Sequence, residues 1–113
     1  MKQVFYVPER GDLVLVSFAP RSGRARDGRR PAVVLSPQAY NARVGLAILC
    51  PVVAEAKGYP FEVALPAHLP ASGVILSDQI KYLDWKSRKA TFCCKIPPAT
   101  LEEVTAKLLT LIE

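Results

Sequence analysis

Seven apolar or alternating runs, none longer than eight residues, follow one another at positions 13–18, 32–36, 46–53, 61–65, 74–76, 80–83 and 90–95. Runs this short are strands rather than helices, and most are rich in Val and Ile, whose branched side chains fit a pleated surface. Turn formers separate them, among them Pro8-Glu9-Arg10-Gly11-Asp12, Lys57-Gly58-Tyr59-Pro60 and the stretch 66–73. Proline presets φ there, glycine accepts positive φ and aspartate bonds its own backbone. Many short strands punctuated in this way predict a compact β-barrel. At 113 residues, with no repeat or low-complexity segment, the chain reads as a single domain, 1–113, that can bury a core without disulfides or a structural metal.

Two segments have helical character. Residues 37–42 follow Ser36, read as an N-cap, and end near Gly45, which predicts a connector of one or two turns. Near the C-terminus Pro97 and Pro98 mark a start, Thr100 and Glu103 have capping-box spacing, and Leu101, Val104, Leu108 and Leu111 form one apolar stripe. That helix is expected to lie against the sheet. Leu108, Leu109, Leu111 and Ile112 together exceed what one small core face needs, which points to dimerisation.

Fifteen Lys and Arg against ten Asp and Glu give a net charge of +5, a balance that favours polyanionic partners. The excess is concentrated at 19–30, where Arg21, Arg24, Arg26, Arg29 and Arg30 fall on one connection between strands. A connection this long in a small domain is more often functional than accidental, and guanidinium forks match phosphate oxygens; a merely solvated hairpin loop is the alternative. No cofactor is expected. The three cysteines lack Cys-x-x-Cys spacing and His68 is the single histidine, so neither a metal site nor a Ser-His or Cys-His pair is expected. Adjacent Cys93 and Cys94 suit a strand in a reducing compartment better than a disulfide framework. Residues 1–10 lack the apolar stretch of a signal peptide and no run approaches a membrane-spanning length, so a soluble, cytoplasmic protein is expected.

Read together, Tyr6-Val7-Pro8, Gly11-Asp12-Leu13, Arg30-Pro31-Ala32-Val33-Val34-Leu35-Ser36-Pro37, Tyr40-Asn41, Lys57-Gly58-Tyr59-Pro60-Phe61-Glu62-Val63 and Ser77-Asp78-Gln79-Ile80-Lys81 closely resemble the MazF/PemK toxin family, almost end to end. The resemblance implies a mainly β fold with a C-terminal α-helix, an SH3-like barrel of the PemK/CcdB type, assembled as a homodimer. It also implies a ribosome-independent, sequence-specific endoribonuclease of a type II toxin–antitoxin pair. The family cuts single-stranded RNA through the RNA's own 2′-hydroxyl, leaving a cyclic phosphate and a 5′-hydroxyl without a metal. The implied partners are a MazE-like antitoxin, single-stranded RNA and, only in complex with the antitoxin, operator DNA.

Arg30, immediately before Pro31, stands where the family places its catalytic arginine; a fixed guanidinium there stabilises charge on an attacked phosphorus. Arg21, Arg24, Arg26 and Arg29 are phosphate-contact candidates. Lys57, Asp78, Gln79 and Lys81 lie in matched blocks and are RNA-binding candidates, lysines for the backbone and amide or carboxylate for base edges. Structural readings stand beside these: Asp78 closing a turn, Gln79 pairing with backbone, Trp85 and Tyr82 in the core or an interface, Phe18 and Tyr59 packed rather than stacking bases. Two positions depart from the family pattern. Val53 replaces a threonine whose hydroxyl assists the scissile phosphate, and Ala25 stands where relatives often carry a glutamate. Glu55 is a candidate for the lost proton acceptor. A weakened or inactive member that binds RNA or antitoxin without cutting is the alternative function. The related gyrase-poisoning toxins end in Trp-Gly-Ile, unlike Leu109-Thr110-Leu111-Ile112-Glu113.

Overall fold

The computed structural model describes residues 6–17 and 28–113. In chain order the elements are β1 (Asp12–Ser17), β2 (Arg29–Val34), α1 (Gln38–Val44), β3 (Ala47–Val53), β4 (Glu62–Ala64), β5 (Val74–Leu76), β6 (Lys81–Leu83), β7 (Thr91–Lys95) and α2 (Pro98–Leu109). The seven strands pair antiparallel in the order β4-β5-β3-β2-β1-β7, with β6 joined to β3. Each run read as a strand overlaps one of them. β3 organises the sheet: β2 lies along one edge through Ala32↔Pro51, Val33↔Cys50 and Val34↔Leu49. Its other edge is divided, residues 47–49 facing β6 and 52–53 facing β5.

Successive side chains on a strand point to opposite faces, and here both faces are covered. Leu13 and Val33 join Cys50, Val52, Val63, Leu65, Ile75, Ile96 and the Val104 of α2 in one cluster. Val14, Val16, Ala32, Val34 and Leu49 form a second, closed by Tyr6, Leu83 and Ala90. Burial on both sides is why these strands read as continuous apolar runs. In α2, Val104 is fully buried while Leu101 and Leu108 are half-buried. The helix stops at Leu109, so Leu111 lies beyond it and, with Leu109 and Ile112, is exposed.

Both helix starts depart from expectation. The N-cap of α1 is Pro37, with no side-chain bond. Ser36 is buried instead, donating its hydroxyl to Asn41 Oδ1 at 2.6 Å and accepting the Ile48 N–H at 2.9 Å. Asn41 Nδ2 donates to the carbonyls of Pro8 at 2.8 Å and Ser36 at 3.0 Å, and the Asn41 carbonyl accepts Trp85 Nε1–H at 3.0 Å. An orphaned buried polar group costs about 1–3 kcal/mol, so Ser36 serves this network rather than a cap. Likewise Pro97 caps α2 and Thr100 lies inside the helix, so the capping box does not form. Gly45 does end α1, at φ 84°.

Asp12, 3% exposed, is the buried charge at the start of β1. It accepts the Tyr6 hydroxyl at 2.5 Å, the Glu9 N–H at 3.0 Å and the Lys95 ammonium at 2.6 Å. Burial and then the bond to Asp12 push the Tyr6 phenol well above its ordinary value of 10.0. For Lys95, burial pulls downward, but hydrogen bonds to Asp12 and Glu9 outweigh it and raise the ammonium's pKa. Both values rise on folding, so the stability they contribute is present in full below pH 10 and is lost as pH climbs through the folded-state values. Tyr6→Phe is expected to cost about 1–3 kcal/mol at neutral pH and to flatten the alkaline decline. Urea unfolding at a series of pH values on either side of 10 checks both.

Candidate functional site

A cleft of about 420 Å³ opens where β3 ends, lined by Val53, Ala54, Glu55, Lys57, Tyr59, Glu62, Leu76 and Gln79. The chain leaving β3 must turn back to enter β4, and Glu62 fixes that turn: its carboxylate accepts the N–H of Lys57 at 2.9 Å and of Gly58 at 3.2 Å. From α2, Lys107 Nζ donates to the Glu62 carbonyl at 3.0 Å and pairs with Glu103 at 3.4 Å. On the opposite side the Ser77 hydroxyl donates to the Phe61 carbonyl. Gly73, at φ +128°, packs against the backbone of cleft residue Val53: an added Cβ would stand 2.2 Å from the Val53 carbonyl oxygen. The lining combines apolar Val53 and Leu76 with two carboxylates, an ammonium, an amide and a phenol, a mixture of apolar surface and polar groups able to hold and orient a ligand.

The two arginines preceding Pro31 are not part of the connection, as the sequence reading had them, but lie in β2, paired as Ser17↔Arg29 and Val16↔Arg30. Alternation gives them different fates. Arg29 is half-buried, and its Nη2 donates to the carbonyls of Leu15 and Lys89, each at 3.0 Å, and to Thr91 Oγ1 at 2.7 Å. It brackets β1 to the turn before β7. Arg30 is exposed, and among the described residues no hydrogen bond or ion pair engages its guanidinium. The pairing of β2 with β3 ends at Ala32↔Pro51, so Arg30 lies on β2 two residues before that pair, while Val53, two residues after Pro51 on β3, lines the cleft and Arg30 does not.

Lys57 and Gln79, separated along the chain, share the cleft because β5 pairs with the end of β3. Asp78 and Lys81 flank Gln79 on the exposed stretch leading into β6 and are not among the lining residues. Tyr59 is 56% exposed and lines the cleft, whereas Trp85 is buried and bound to Asn41. Tyr82 is exposed, its hydroxyl 2.8 Å from that of Tyr40. Arg21, Arg24, Arg26, Ala25 and Phe18 lie outside the described residues. Sequence reasoning missed Glu62 as the organiser of the turn. The available signal was a carboxylate placed just after a Gly-Tyr-Pro turn whose backbone N–H groups need acceptors.

A family model described as a PemK-like, MazF-like toxin of type II toxin–antitoxin systems matches residues 9–112. The chain is 44% identical over 107 residues to the endoribonuclease toxin MazF of Escherichia coli K12, covering 95% of this chain and 96% of that one. Crystalline MazF of Deinococcus radiodurans (Form-I) superposes with a TM-score of 0.86 at 53% identity, over 96% of this chain and 98% of that one. The MazF of a MazE–MazF complex from the same organism (Form-III) superposes at 0.89, with 53% identity over 95% and 97%. The mainly β fold closed by a C-terminal helix is therefore shared with these toxins.

Proposed function

Because the chain belongs to the PemK-like, MazF-like toxin family of type II toxin–antitoxin systems, we propose that it is a sequence-specific endoribonuclease cutting single-stranded RNA by attack of the RNA's own 2′-hydroxyl. The observation that carries the reading is Arg30: exposed, unengaged among the described residues and carried on β2, the strand paired with the β3 whose end lines the cleft. As the 2′-oxygen attacks, negative charge grows on the oxygens around phosphorus, and a guanidinium fork aimed there stabilises it. Because the nucleophile belongs to the substrate, the scheme calls for neither a metal nor a covalent enzyme intermediate. Glu55, in the same cleft as Val53, is the candidate acceptor of the 2′-hydroxyl proton.

Lys57 then contacts the RNA backbone, Gln79 a base edge and Tyr59 a base face, with Asp78 and Lys81 beside them. Arg21, Arg24, Arg26 and Arg29 add positive charge along the strand's path. The working form is a homodimer covering exposed Leu109, Leu111 and Ile112. An acidic, extended antitoxin segment holds it inactive, a partnership that MazE–MazF complexes of the Deinococcus relative support, and operator DNA is bound only with that antitoxin. No helix of the described residues is long and apolar enough to cross a membrane, and the proposed location is the cytoplasm.

The test compares the chain as it stands with Val53→Thr on a long single-stranded RNA in EDTA. Valine and threonine share a shape that suits a strand, so the fold is kept while a hydroxyl is added beside the cleft. The unaltered chain is expected to cut slowly and Val53→Thr about 10- to 100-fold faster, less than the 10²–10⁴ a positioned acid–base group contributes. If neither cuts, the endoribonuclease reading fails for this chain.

A further inference from the structure

Strand β7 carries a bulge: Leu13 faces Cys94 but the next residue, Val14, faces Phe92, so Cys93 is the extra residue. The Phe92 ring meets Tyr6, with centroids 6.0 Å apart and planes at 58°. In an unbroken strand Cys93 would point to the opposite face and Cys94 back to the first. The bulge cancels that alternation. Cys93 and Cys94 both pack against the cluster containing Leu13 and Val104, both are free thiols and neither is fully buried.

We propose that Cys93 and Cys94 form a chelating dithiol site for a thiophilic trivalent arsenical. A direct disulfide fits this pair poorly. Disulfides favour Cα atoms about 4.4–6.8 Å apart, whereas consecutive Cα atoms across a trans peptide are separated by about 3.8 Å, and no cis peptide occurs among the described residues. One bridging atom enlarges the ring and relieves that conflict. In the reaction with an arsenic(III) oxide, both S–H bonds break, two As–S bonds form and the oxygen leaves with both protons as water. Arsenic stays trivalent, so no oxidant or reductant is required.

Burial, and then neighbouring Cys93, pushes the Cys94 thiol up to about 11. Cys50, the other described cysteine, is fully buried and its thiol is pushed up to about 12 by burial, so it serves as the internal control. The pair lies on β7, whose sheet partner is β1, and neither cysteine is among the cleft-lining residues, so arsenical binding is read independently of RNA cleavage.

The probe is phenylarsine oxide, added at one equivalent to the folded protein in excess 2-mercaptoethanol and followed by intact mass spectrometry, with far-UV circular dichroism confirming the fold. One phenylarsenic group per chain is expected, stable to the monothiol and released by 2,3-dimercaptopropanol. Cys93→Ser and Cys94→Ser should each weaken retention by about a hundredfold or more, the second thiol acting at high effective concentration, while Cys50→Ala retains the adduct. Absence of a monothiol-resistant adduct on the folded chain overturns the proposal. So does its persistence in either serine variant, or its loss in Cys50→Ala.

Discussion

Arg30→Ala is expected to lower the rate of RNA cleavage by about 10²–10³-fold, the range seen when one preorganised donor to transition-state charge is removed, while leaving stability within about 0.5 kcal/mol. The separation follows from its surroundings. The side chain is exposed and makes no hydrogen bond or ion pair among the described residues, so truncation orphans no buried partner. Arg30→Lys should recover only part of the loss, because an ammonium keeps the charge but not the planar fork. Arg29→Ala supplies the contrast: its Nη2 reaches Leu15, Lys89 and Thr91, and its removal should cost about 1–3 kcal/mol of stability. Single-turnover cleavage rates and urea unfolding, measured on the same preparations, distinguish the two neighbours.

Gly73→Ala is expected to be the most damaging small change to the fold. Its φ of +128° lies where L side chains rarely go, and the added Cβ would meet the Val53 carbonyl oxygen at 2.2 Å, its carbon at 3.1 Å and Val52 Cγ1 at 3.2 Å. Backbone strain of order 1–3 kcal/mol adds to a similar overpacking cost, so a loss of about 2–6 kcal/mol is expected in urea unfolding. The shift falls on Val53, a cleft residue, so cleavage should suffer in whatever folded fraction remains. Gly45→Ala is the control for conformation alone. Its φ is +84° but nothing lies within 4 Å of the added carbon, which leaves only the left-handed penalty of about 1–2 kcal/mol.

The strands were legible because both faces of the sheet's centre are buried, so that apolar runs and strands coincide at Leu13, Val14, Val33, Val34 and Leu49. Arg29 and Arg30 were read into the connection because two arginines and a proline interrupt that pattern, although the strand begins there. Their different fates depend on alternation across a pairing with β1 that local sequence does not encode. Ser36 had the chemistry of a cap, yet the distant Asn41 and Ile48 claim its hydroxyl. For the cleft, Lys57 and Gln79 were named from the family resemblance. Their meeting depends on long-range pairing of β3 with β5, and the role of Glu62 depends on where the turn's N–H groups point. The same-face placement of Cys93 and Cys94 follows from a bulge with no composition signal of its own.

The central claim is that the Arg30 guanidinium stabilises a phosphorus attacked by the substrate's own 2′-oxygen. Its most direct test uses an oligoribonucleotide that the protein cuts, remade with 2′-deoxyribose at the nucleotide on the 5′ side of the cut, with product ends mapped in EDTA. The unsubstituted strand should yield a cyclic phosphate and a 5′-hydroxyl, and the substituted strand should resist at that bond. Cleavage of the deoxy-substituted bond, or products bearing a 5′-phosphate, would contradict it.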